Sequence, residues 1–112
     1  MKNSESSVPL EFLSDNVTTA HTKIQNDFKD LNPVVGVSRK LRQLGISADT
    51  MTIDCLKTGK RIIIVLHDDV PNLVRFQFSY IKQDPSVEFE ELALQDVTPD
   101  QFYTWMKTYF LA

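Results

Sequence analysis

The sequence predicts an α+β domain: a four-stranded antiparallel β-meander with two N-terminal helices and one C-terminal helix, in the order α-α-β-β-β-β-α. Three observations carry this reading. Residues 14–31 bear one apolar stripe at helical spacing, residues 50–80 hold three strand-like runs separated by turn signals, and residues 97–102 spell a helix start.

Residues 1–9 are polar and Ser-rich with no periodicity, which predicts a disordered tail ahead of a single domain over residues 10–112. From Ser14, the residues Val17, Ala20, Ile24, Phe28 and Leu31 recur at three- and four-residue steps, and Ser14 or Asp15 is placed to cap that helix. Asn32 as N-cap and Pro33 at the first position predict a second helix, with Val34, Val37, Leu41 and Leu44 on one face and Gly45 at its end.

The alternation of Met51, Ile53 and Cys55 with Thr52 and Asp54 predicts the first strand. A turn over residues 57–60 leads into residues 60–67, whose five consecutive apolar residues predict a central strand covered on both faces. After the turn at residues 68–72, Val74, Phe76, Phe78 and Tyr80 alternate with Arg75, Gln77 and Ser79 in the third strand. Pairing Lys57 with Lys60 and Leu66 with Val74 puts the large apolar residues of all three strands on one face. In the fourth segment, Val87 and Phe89 are followed by Leu92 and Leu94, so a bulge is expected near Glu90 and Glu91. Thr98 as N-cap, Pro99 at N1 and Gln101 at N3 open the last helix, which presents Phe102, Trp105, Met106, Tyr109 and Phe110.

The 112 residues, 42% of them hydrophobic and only three of them glycine, fit one globular domain. The net charge of −3 argues against a general nucleic-acid role, because phosphate binding draws its affinity from clustered cations. Cys55 is the only cysteine, so neither an intramolecular disulfide nor a cysteine-rich zinc site is available, and no disulfide-linked partner is expected. No signal-like h-region follows Lys2 and no apolar run nears the roughly 20 residues of a membrane span, so the expected compartment is the cytoplasm.

Four groups of residues bear on function. His67, Asp68 and Asp69 juxtapose an imidazole with carboxylates, as a small acid–base or metal site requires, yet aspartates at a turn ordinarily cap the chain's own amides. Cys55 is expected far from His67 and on the opposite face, which makes it a core residue and not a nucleophile. Arg39, Lys40, Arg42, Lys60 and Arg61 are an alternative basic patch for nucleic acid or an anionic ligand, beside an acidic block from Asp84 to Asp100. The sheet face opposite the aromatic core carries Ile63, Val65 and Ile81, with Phe89, among polar residues. If every helix packs on the other side, that face is open to a partner.

The order helix, three strands, helix resembles double-stranded RNA-binding domains in part. An extra strand over residues 87–94 departs from that order, and Thr98-Pro99-Asp100-Gln101, where that family opens its last helix with lysines, removes the phosphate grip. In size, charge and helix-flanked sheet the chain is similar to small acidic secretion chaperones, but residues 82–86 leave room only for a turn where those insert a helix. The reading is therefore a noncatalytic protein-interaction or adaptor module, homodimeric through Ile63, Val65, Ile81 and Phe89, with no cofactor, metal or membrane partner.

Overall fold

In the computed structural model, which describes residues 8–112, the chain runs α1 (Val8–Asp27), β1 (Val34–Ser38), α2 (Lys40–Gln43) and β2 (Ala48–Cys55). It continues through β3 (Lys60–His67), β4 (Leu73–Tyr80), β5 (Glu90–Ala93), a 3-10 turn (Leu94–Asp96) and α3 (Pro99–Phe110). The sheet is a five-stranded antiparallel meander in sequence order, one strand more than expected. Of the expected tail, residues 1–7 lie outside the described residues, whereas Val8 and Pro9 belong to α1.

The α1 helix begins six residues before the expected Ser14 cap. Proline is tolerated in a first turn, where its missing N–H leaves no bond unmade, and Leu13 extends the buried stripe of Val17, Ala20 and Ile24 by one step. The polar run on the outer face is accommodated by back-bonding: Thr18, Thr19 and Thr22 donate their hydroxyls to the carbonyls of Ser14, Asp15 and Thr18.

The second helix shrinks to the single turn α2, and most of the segment assigned to it is strand. Val34, Val35 and Val37 are β-branched and lose rotamer freedom in a helix. The outer edge of β2 offers them a ladder instead, from Val34 opposite Asp54 to Ser38 opposite Thr50. Asn32 and Pro33 thus precede a strand and cap no helix. Gly45, at φ 85°, then turns the chain back towards β2.

Pairing in the centre follows the expected parity. Leu66 and Val74 lie in the expected frame, continued by Val65 opposite Arg75 and Lys60 opposite Tyr80. The first hairpin is shifted by two residues from the expected register, with Cys55 opposite Lys60 across a four-residue turn that ends in Gly59 at φ 76°. An even shift leaves every side chain on its expected face. No bulge interrupts β5: residues 87–89 precede the strand, so the change of parity has another origin.

All long helices lie on one side of the sheet. Leu13, Val17, Ala20 and Ile24 of α1 and Phe102, Trp105, Met106 and Phe110 of α3 join a single core with strand residues of one parity, such as Met51, Ile53, Ile62, Ile64, Val74 and Phe76. The start of α3 forms as its sequence signals, with Thr98 Oγ1 accepting from the Gln101 amide at 3.1 Å. Asn16 ties α1 to this junction by donating to the Val97 carbonyl.

Candidate interaction surface

The strand parity that sends Ile62 and Ile64 into the core sends Ile63 and Val65 to the opposite face. Thr52 and Gln77 flank Ile63, and Thr50 and Arg75 flank Val65. β3 therefore has apolar residues on both faces, but only one face carries helices. Ile63 is 6% exposed even so, and Val65 is half-buried.

Two cross-strand ion pairs border this strip. Arg61 grips the directly opposite Asp54 side on, Nε to Oδ1 at 2.7 Å and Nη2 to Oδ2 at 2.9 Å, and Arg75 Nε meets the opposite Glu91 at 3.2 Å. Bonding to Asp54 holds the Arg61 guanidinium above its usual pKa. Gln77 and Ser79, both buried, complete the polar part of the face.

The four expected contact residues are only partly brought together. Ile63 and Val65 are neighbours on β3. Phe89, half-buried, lies one residue ahead of β5, beyond the pair Phe76–Glu90 and so on the Gln77 side. Ile81 lies past β4, where its amide donates to Gly59 O; six residues separate it from Arg75, opposite Val65, a distance of roughly 20 Å along the strand.

The residues of the basic patch are divided between two ends of β2. Arg39, the N-cap of α2, and Arg42, within it, converge on Asp49, whereas Lys60 and Arg61 open β3 beside Cys55 and Asp54. Arg42 also grips Asp68, and Lys60 donates to the Tyr109 carbonyl at 2.9 Å. Lys40 is exposed. Arg39, Arg42, Lys60 and Arg61 serve internal anions and carbonyls, and the structure does not assemble the five cations into one surface.

His67 closes β3, Asp68 is bound by Arg42, and Asp69 is exposed on the following turn. Among the described residues, no group of three His, Cys, Asp or Glu side chains is placed to hold a metal ion. Cys55 is buried and belongs to the core cluster; it lies across from Lys60, seven residues and roughly 23 Å of strand away from His67.

A second surface was not visible as such in the sequence. Phe78 and Tyr80 share the parity of the core residues, yet they are 36% and 44% exposed. The reason is the short β5, which covers β4 only as far as Phe76. Pro85 and the polar residues around it were the available signal, because they leave the second half of β4 without a strand neighbour.

No helix among the described residues is long and apolar enough to cross a membrane. No protein-family model matches the chain, and neither does a curated protein or a solved structure.

Proposed function

We propose that the chain is a noncatalytic protein-interaction module of the cytoplasm that associates with a second copy of itself through the helix-free sheet face. The observation that carries this reading is the segregation of α1 and α3 to one side, which leaves Ile63 and Val65 outside the core they would otherwise join. Electrostatics favour a like partner. Asp54 with Arg61, and Arg75 with Glu91, neutralise each other within the chain, so two such faces meet without a like-charge penalty.

Light scattering coupled to size exclusion, run over a range of protein concentration and at low and high salt, tests this. A dimer that resists salt and reverts to monomer in Val65→Arg, while that monomer still unfolds in a single cooperative transition whose midpoint does not depend on protein concentration, is the expected result. A monomer at every concentration overturns the proposal.

A further inference from the structure

Among the described residues, the second half of β4 is an unpaired strand edge. Ile81 N–H donates to Gly59 O on the β3 side, so the odd-numbered residues of this stretch direct their main-chain groups to β3. The even-numbered residues direct theirs outward, as Asn72 O and Tyr80 O do in accepting from Leu94 and Gln83. The β5 ladder ends at Phe76, which leaves the amide and carbonyl of Phe78 and the amide of Tyr80 directed outward with no strand beside them.

The following loop does not fill the gap, because a side chain holds it elsewhere. Gln77 donates through Nε2 to the carbonyls of Ser86 and Glu88 at 3.0 and 2.7 Å, and its Oε1 accepts from the Ser86 amide at 2.9 Å. Gln77 is 7% exposed and projects to the helix-free face, so the loop is tied to that side of β4. Between edge and loop lies a cleft of about 360 Å³. Its apolar wall is Phe78 and Tyr80, with Phe78 braced from behind by Tyr109 at 5.0 Å between ring centroids. Asp84, Glu88 and Glu90 line its rim, and no cation among the described residues does.

We infer that this edge binds a short extended segment of a partner polypeptide, bearing alternating basic and apolar residues, by strand addition to β4. Main-chain pairing with Phe78 and Tyr80 supplies register, the aromatic wall takes an apolar side chain, and the carboxylate rim selects lysine or arginine. A second copy is the wrong occupant here, since edge-to-edge pairing of two β4 strands brings two acidic rims together. This site shares Gln77 and Ser79 with the helix-free face, but its main-chain edge is distinct from the surface around Val65 and does not depend on it.

The test uses the full chain and synthetic hexapeptides alternating lysine with valine. Binding is read from labelled-peptide anisotropy and from backbone amide shifts. The expected result is saturable binding with the largest shifts at Phe78 and Tyr80, small shifts at Ile63 and Val65, and loss of binding when glutamate replaces lysine. The paired variant Glu88→Gln with Glu90→Gln weakens binding about fivefold. Two further peptides, N-methylated on one or the other alternate set of amides, separate strand addition from charge attraction without altering the protein: one set binds and the other does not. Equal binding by both N-methylated peptides, equal binding of the glutamate peptide, absence of binding, or concentration-dependent self-association mapped to Phe78 would each overturn the inference.

Discussion

Arg42 and Asp49 are joined side on, Nε to Oδ1 at 2.8 Å and Nη2 to Oδ2 at 3.0 Å, although one sits on a single helical turn and the other inside the sheet. The same guanidinium reaches Asp68 through Nη1 and Nη2, both at 2.8 Å, and Arg39 adds a bond to Asp49 at 2.9 Å. Asp49 is 1% exposed, so its charge is tolerated only because two guanidinium groups surround it. The network also explains how a helix of four residues with no buried side chain stays in place: it is tethered by charge to the end of β2.

Arg42→Met removes the larger share of the compensation around a buried carboxylate and leaves Arg39, which is 45% exposed at its side chain, to hold it alone. A loss of about 3 kcal/mol in urea unfolding is expected, the usual scale for breaking a buried pair on one side. Arg39→Met, acting on the more exposed partner, costs about 1 kcal/mol or less.

The same network sets an acid limit. Burial pushes the Asp49 carboxyl up, but the hydrogen bonds from Arg42 and Arg39 outweigh it and hold the group below 3.8; the Arg42 hydrogen bond holds Asp68 below that value too. A carboxyl with a depressed folded-state pKa stabilises fully above its unfolded pKa and ceases to do so as the pH falls through the folded one. The network's contribution is therefore constant above about pH 5 and fades below about pH 4, with unfolded aspartate near 3.9. Thermal melts across this range should show that decline, and Arg42→Met should flatten it.

The parity of the three central strands was legible because one face had to be apolar, and a two-residue error in the first hairpin did not disturb it. The start of α3 was legible because Thr98, Pro99 and Gln101 act locally. The segment from Val34 to Leu44 was not. Its valines and leucines also fall at helical spacing, and only the presence of the β2 edge, a non-local fact, makes β1 the better use of them. The apolar run of β3 was expected to be covered on both faces, whereas helices cover only the Ile62 and Ile64 side, because how the opposite residues are screened depends on the whole sheet. Ile81 was grouped with Val65 by parity, which says nothing of position along the strand. The open edge at Phe78 was hidden because it is created by what β5 lacks.

Gln77 acts as a side-chain substitute for a strand neighbour, making three hydrogen bonds to the main chain of residues 86 and 88. Ser86 is exposed, so water replaces these bonds when they are lost, and Gln77→Leu costs about 1–2 kcal/mol overall. The diagnostic effect is local: hydrogen exchange over residues 82–89 accelerates in Gln77→Leu while exchange in β3 follows only the global change. Uniform acceleration throughout the sheet would mean that Gln77 supports the core and not the loop.

Neighbouring residues on β3 give the sharpest check on the two-layer architecture. Ile64 is fully buried in the cluster shared by α1 and α3, so Ile64→Ala leaves a cavity and costs about 3–4 kcal/mol. Val65, one residue on, is half-buried on the helix-free face, where truncation removes fewer contacts and solvent fills the space; Val65→Ala costs about 1 kcal/mol in the monomer. Urea unfolding of dilute protein reads both. Equal large losses would require a layer over each face of the sheet. A Val65→Ala loss that grows with protein concentration would show that the layer is a second copy, since only an associating surface links stability to concentration.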